Sequence, residues 1–300
     1  MSTRHSRQSF LGDNSEDVLI KSRIGIVGLC GGGSHVGQQL AHIGVGKIVA
    51  ADFDHVEDPN LNRMVGSCPA DAESNRLKND VVRELILRIN PNADVEIVGR
   101  WQERGDLLRI CDILIGCVDS FTARDELEKF CRRFLIPYID IGMDVHQVST
   151  GYGISGQVAL SIPGGHCLWC HGILTKDRLE QEQRKYGAAG GKPQVIWPNG
   201  VLASIAVGHA VSLLLPWNTD LPMSSLIEYD GNRHITRPGA RLQFLKDVPC
   251  PHYKGEGSIG DPFFRIDDLS LSVPEPRAIS NEMSSRGLES YPANLLTNTR

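Results

Sequence analysis

The residues best suited to chemistry begin at a glycine turn. Gly28, Gly31, Gly32 and Gly33 stand with Ser34 just after an apolar run that starts at Arg23. With side chains nearly gone, backbone N–H groups can approach a phosphate at the positive end of the helix that follows. A dinucleotide fingerprint asks for glycine at the middle position, where Cys30 stands, so a pure NAD reading is damaged. Asp52 closes the next apolar run, residues 47–52, where a carboxylate accepts from ribose hydroxyls in either a nicotinamide or an ATP site. A solvated strand end is the plainer alternative for it.

Arg63 and Lys78 separate the two cofactors. A nicotinamide site has no use for two cations here, whereas attack on an α-phosphate gathers charge on oxygens that fixed cations stabilise. Asp119 ends the run 112–119, with Ser120 and Arg124 beyond, and a hard carboxylate at that edge suits Mg²⁺. Cys167 and Cys170 have the spacing of half a tetrahedral zinc site.

The elements that must position these residues follow from periodicity. Short apolar runs at 23–28, 47–52, 95–98, 112–119 and 138–142 read as strands. Between them, Val36, Leu40 and Ile43, then Leu77 through Ile89, then Ala123, Leu127, Phe130 and Phe134 recur at helical spacing. Strand and helix alternate to about residue 145, which predicts an α/β fold: a doubly wound, Rossmann-like sheet, mostly parallel in its first half. Beyond residue 150 the runs 155–160 and 226–230 lack crossover helices and predict an antiparallel extension. Residues 176–198 are polar and glycine-bearing and read as a mobile loop. The last stretch, from Phe264, is rich in Ser, Pro, Asn and Glu and reads as a flexible or partner-docking tail.

Hydrophobic residues make up 41% of the 300 and charged residues 22%, which excludes disorder throughout, collagen and coiled coil. A formal charge of -5 without a Lys/Arg run gives no field for a nucleic-acid partner. Residues 1–10 lack the apolar core of a secretory signal, and the expected location is the cytoplasm. Residues 201–217 are apolar but interrupted by Ser204, His209 and Ser212, short of the ~20 residues a membrane span needs. A buried helix, with no membrane association, is expected. Eight cysteines are too few for a secreted disulfide scaffold, and those at 111 and 117 read as core thiols.

Taken together, the stretches 6–8, 27–34, 52–54, 60–63, Lys78, Asp119 with Ser120 and Arg124, 155–158 and 167–170 resemble the ThiF/MoeB/HesA family, adenylyltransferases related to ubiquitin-activating enzymes. They span about residues 6–215 in the family's order. Residues 31–36 most resemble bacterial members associated with ubiquitin-like proteins and JAB-type peptidases. The resemblance implies ATP and Mg²⁺ as cofactors. Asp52, beside Asp54, would hold the ribose, while Asn60, Arg63 and Lys78 would hold the phosphates. Asp119, beside Ser120, would hold magnesium, and Arg7 would reach into the partner site of a homodimer. The substrate implied is the C-terminal carboxylate of a ubiquitin-like protein or peptide, and the product an acyl-adenylate that a conjugating enzyme can later receive. The implied organisation is an arm at 1–22, an adenylation domain at 23–262 with a nucleotide-binding half (23–150) and a carrier-binding half (151–262), and a tail at 263–300.

Two departures from the family stand out. Its second Cys-x-x-Cys is here Cys250-Pro-His-Tyr253, so Tyr253 stands at the fourth thiolate position. His252 is a substitute ligand for zinc, with His166 and His171 as rivals. Family members that form a thioester carry a cysteine in the loop crossing the active site, and residues 176–198 contain none. Cys30 and Cys68 are the nearest in sequence. Three other readings stay open: activation of a sulfur carrier, an NAD-dependent oxidoreductase, and a non-catalytic scaffold.

Overall fold

The computed structural model describes residues 3–149, 151–184, 193–218, 222, 224–246, 248–253 and 259–260. The apolar runs of the first half form β1 (Arg23–Val27), β2 (Lys47–Ala51), β3 (Asp94–Val98), β4 (Ile113–Gly116) and the start of β5 (Tyr138–Val148). β6 (Gly151–Ser161), β7 (Ser224–Asp230) and β8 (Ile235–Pro238) complete one eight-stranded sheet in the order β3-β2-β1-β4-β5-β6-β7-β8. The first five strands pair in parallel and the last three antiparallel. Both halves of the expected sheet are present.

The α-helices among the described residues are α1 (Ser15–Lys21), α2 (Gly31–Ile43), α3 (Pro69–Glu73), α4 (Lys78–Ile89), α5 (Gly105–Leu108), α6 (Phe121–Phe134), α7 (Lys176–Arg184), α8 (Ile196–Leu214) and α9 (Leu242–Leu245). On α2 the periodic Val36, Leu40 and Ala41 are fully buried, and burying a Val or Leu side chain contributes about 1.5–3 kcal/mol. α8 packs on α2, β5 and β6 through Leu202, Ala203, Ala206 and Ala210. It is the buried helix expected, though it begins at Ile196 rather than 201. Its length and apolarity alone would pass for a membrane span, but its small residues are spent on close packing.

Register fixes where the loops emerge. Val27 pairs with Ala51 on one side and with Gly116 on the other, so the segments after β1, β2 and β4 leave the same edge of the sheet. The chain order reverses between β1 and β4, and at such a switch point diverging connections leave a crevice for ligands.

Several sequence expectations need correction. The polar stretch 176–198 is a loop only in part: residues 176–184 form α7 and α8 starts at Ile196, while residues 185–192 lie outside the described residues. The N-terminal arm, for which the sequence predicted no element, carries a 3-10 turn (Thr3–Leu11) and α1 with Leu11 and Leu19 buried, and Gly46 N donates to Leu19 O. Its apolar positions are too few to announce a helix in isolation. α2 starts at Gly31 rather than Ser34: glycines weaken a free helix, but the packed first turn needs one at Gly33, where a Cβ would strike Gly28 O. β4 stops at Gly116, which leaves Asp119 in the following loop. The tail from 263 lies outside the described residues.

Candidate active site

Gly28 leaves β1 with φ +88, a left-handed conformation that favours glycine, and its N–H donates to Ala51 O. A Cβ on Gly33 would stand 1.8 Å from Gly28 O, so only glycine lets the first turn of α2 press onto the strand end. The N-cap residue Cys30 makes no side-chain cap bond, and among the described residues the first amides of α2, at Gly31, Gly32 and Gly33, stay open to a ligand. Ser34 Oγ donates to Gly31 O and accepts from Val65 N, tying this turn to the segment after Arg63.

Asp52 sits at the end of β2 with both oxygens engaged: Leu29 N donates to Oδ2 at 2.7 Å and Asp54 N to Oδ1 at 2.9 Å. Burial raises its pKa, and those two amides with the nearby Lys78 counter the rise. Lys78, the first residue of α4, is buried and donates to Asp54 Oδ2 at 2.9 Å. Burial works against its charge, yet the Asp54 hydrogen bond and the Asp52 charge win and raise its pKa. A lysine ammonium has three donors, and only one is given to Asp54. Phe53, Asp54, His55, Glu57, Asn75 and Lys78 line a cavity of 390 Å³.

Asn60 and Arg63 lie on a short turn. Asn60 is buried, and its Oδ1 caps the turn by accepting from Glu57 N at 3.1 Å. Arg63 Nη1 donates to Pro59 O and to Asn62 Oδ1, while its Nε is buried without a partner in this structure. Asn62 Nδ2 in turn donates to Gln194 O, just before α8. Asp119 is exposed in the loop between β4 and α6, with Val118 on one side and Ser120 on the other. Arg124 Nη2 holds that loop by donating to Val118 O at 2.6 Å, and its Nη1 pairs with buried Asp140. Arg7 is exposed on the N-terminal turn, and among the described residues no hydrogen bond or ion pair joins it to this site.

The cysteine pair is completed from far along the chain. Cys167, Cys170, Cys250 and His252 place their ligand atoms within 4.8 Å of one another. The Sγ atoms are 3.6 to 3.7 Å apart, and His252 Nδ1 is 3.4 Å from Cys167 Sγ and from Cys170 Sγ. Zinc–sulfur bonds of about 2.3 Å and a zinc–nitrogen bond of about 2.0 Å in a tetrahedron give edges of about 3.5–3.8 Å, so the four residues fit that ion. His166 is spent elsewhere, with Nδ1 3.1 Å from Ser224 Oγ and Nε2 2.6 Å from Val248 O, and His171 is outside the cluster. Tyr253 lies against the Arg132 guanidinium, 5.3 Å from ring centre to Cζ. Cys30 precedes α2, and Cys68 is exposed ahead of α3, where its N–H donates to Asp71 Oδ2. Cys111 is the core thiol expected and Cys117 is half-buried against the core; Cys131 is buried as well, and burial pushes Cys111 up to about 12.

Sequence reasoning missed Asn199 and Glu182. Asn199, on α8, is buried against Gly31, close enough that a Cβ there would strike its side chain. Glu182, on α7, accepts from both first amides of α6. Neither has a local signal, because each works on a segment at least sixty residues away.

A family profile described as the ThiF family matches residues 3–251. The chain belongs to the ThiF family. It is 28% identical over 259 residues to the sulfur carrier protein ThiS adenylyltransferase of Escherichia coli, covering 83% of this chain and 93% of that one. It is also 27% identical over 237 residues to ubiquitin-like modifier-activating enzyme 5 of Dictyostelium discoideum (73% and 58%). Protein HesA of Trichormus variabilis is 24% identical over 255 residues (83% and 87%). The crystal structure of E. coli MccB with ATP shares the fold at a TM-score of 0.64 and 22% identity, over 79% of this chain and 71% of that chain. This ThiF-family chain is an adenylyltransferase and uses ATP. The oxidoreductase and scaffold readings are set aside.

Proposed function

We propose that this protein adenylates the C-terminal carboxylate of a ubiquitin-like protein or peptide, releasing pyrophosphate and leaving an acyl-adenylate for later transfer to an acceptor such as a conjugating enzyme. The observation that carries the reading is the open, uncapped first turn of α2 beside Asp52 and a buried Lys78 with donors to spare. The amides at 31–33 receive phosphate oxygens and Asp52 receives the ribose. Lys78 turns its remaining donors, and Arg63 its unpartnered Nε, to oxygens that gain charge as the substrate carboxylate attacks the α-phosphorus. The new bond is acyl oxygen to phosphorus; the bond that breaks is phosphorus to the pyrophosphate oxygen. The carboxylate is already ionised at neutral pH, so no general base is needed.

Asp119 would hold magnesium, which supplies positive charge against the phosphates. Arg7 would complete the neighbouring site of a homodimer, which fits its exposure and its lack of a bond to its own site. Cys167, Cys170, Cys250 and His252 would hold a structural zinc. A sulfur carrier is an equally supported substrate, because the match to the ThiS adenylyltransferase spans 93% of that protein. Both carriers present a carboxylate to the same chemistry.

The test is exchange of labelled pyrophosphate into ATP, with candidate carriers of either kind supplied. Carrier-dependent exchange that collapses in Asp119→Ala is expected; undiminished exchange in that variant removes the magnesium role. Mixing Arg7→Ala with Lys78→Ala subunits should restore part of the activity, since one site of each mixed dimer then holds both cations. Heterodimers without rescue would remove the role of Arg7 in trans.

A further inference from the structure

The first amides of a helix have no partner within it and must be satisfied from outside. In α6 each one is accounted for. Phe121 N donates to Glu182 Oε1 at 2.9 Å, Thr122 N to Glu182 Oε2 at 2.9 Å, and Ala123 N to Ser120 Oγ at 3.2 Å. The hydroxyls of Thr122 and Ser120 also donate to Glu182 Oε2, at 2.9 and 3.2 Å. One carboxylate, carried by α7 some sixty residues further on, thus accepts four hydrogen bonds from three consecutive residues. These bonds outweigh the cost of its partial burial and hold its pKa below the usual glutamate value. A second tie runs from the same helix: Arg178 lies over the Phe121 ring, 5.4 Å from its centroid, and donates to Gly172 O and Ile173 O.

Asp119 lies between two pinned neighbours. Val118 O is held by Arg124, and Ser120 is held by Glu182 while it caps α6. The Asp119 side chain itself is exposed, and among the described residues no hydrogen bond or ion pair holds it, so the backbone on either side sets its position. A group placed about 1 Å off can cost on the order of a hundredfold in rate.

We propose that Glu182 is a positioning residue for adenylation: by clamping α7 to the first turn of α6 it fixes the 118–120 loop, and with it Asp119. This rests on the role of Asp119 proposed above.

The experiment uses the full chain and the variants Glu182→Ala, Glu182→Gln, Arg184→Ala and Asp119→Asn. Two quantities are read: hydrogen exchange at the amides of residues 121 and 122, and the Mg²⁺ dependence of ATP–pyrophosphate exchange. Glu182→Ala should expose both amides and raise the Mg²⁺ concentration for half-maximal exchange by roughly tenfold or more, with KM for ATP at saturating Mg²⁺ little changed. Glu182→Gln keeps one acceptor oxygen and should fall between it and the wild type. Arg184→Ala loses only an exposed pair with Glu180 within α7 and should match the wild type in both readouts. Amides that open in Glu182→Ala while the Mg²⁺ response stays put would overturn the proposal and reduce Glu182 to a helix cap. Amides that stay protected would overturn the clamp itself. A wild type and Asp119→Asn with the same Mg²⁺ response would remove the role of Asp119, and the positioning role with it, a pattern distinct from either of the other failures.

Discussion

The nucleotide cradle and the buried face of α6 both hold buried or half-buried charges, but they treat them differently. In the cradle, Lys78 gives one of its three donors to Asp54, Arg63 Nε has no partner, and the amides of the first turn of α2 are uncapped. Around α6, hydrogen bonding is close to complete. Glu128 Oε1 accepts from Arg132 Nε at 2.8 Å and from Ser161 Oγ at 2.7 Å, and Arg132 also donates to Ser161 Oγ, Gly165 O and His166 O. Trp169 Nε1 donates to Asp125, and Arg124 pairs with Asp140, whose other oxygen accepts from Tyr138 at 3.1 Å. Burial pushes Glu128 and Asp140 toward protonation, and their arginines oppose it. Unspent hydrogen-bonding capacity marks where a ligand belongs, and saturated capacity marks where the fold is held.

The largest effect should come from breaking the saturated region. Asp140→Ala leaves the Arg124 guanidinium buried without its counter-charge, a change that costs about 3–5 kcal/mol. Denaturant unfolding should record a loss of that size, and a loss below 1 kcal/mol would mean that water replaces the carboxylate. In the cradle, Lys78→Ala should slow pyrophosphate exchange by on the order of a hundredfold or more, with a much smaller change in unfolding midpoint. A collapse of stability instead would place Lys78 among the fold-holding charges. The smallest effect on exchange belongs to the metal cluster, which ties residues 167–170 to 250–252. About one zinc per chain is expected in protein purified without a histidine tag. Cys167→Ser should release it and lower Tm while leaving the residues of the cradle in place. A zinc ratio near zero in the wild type would leave the three thiols as core residues.

Much of the cradle was legible because its parts are local. A strand that ends at Gly28, a helix that starts at once, and a carboxylate at the end of the next strand are set by periodicity and by what glycine permits. Asp52 and Lys78 could therefore be placed before any coordinates. The folded N-terminal turn, α7 and β8 were not legible: their apolar positions are few, and contacts with the rest of the chain stabilise them.

The sequence by itself determined the strand–helix alternation and the residue types gathered at the strand ends. Each depends on the few residues on either side of a strand end. Only tertiary structure decided that His252 rather than Tyr253, His166 or His171 joins the three thiols. It likewise decided that Glu182 caps a helix sixty residues earlier, and that Asn199 closes on Gly31. Those pairings are set by which surfaces the packed sheet and helices bring within hydrogen-bonding reach, and a one-dimensional pattern carries no record of that distance.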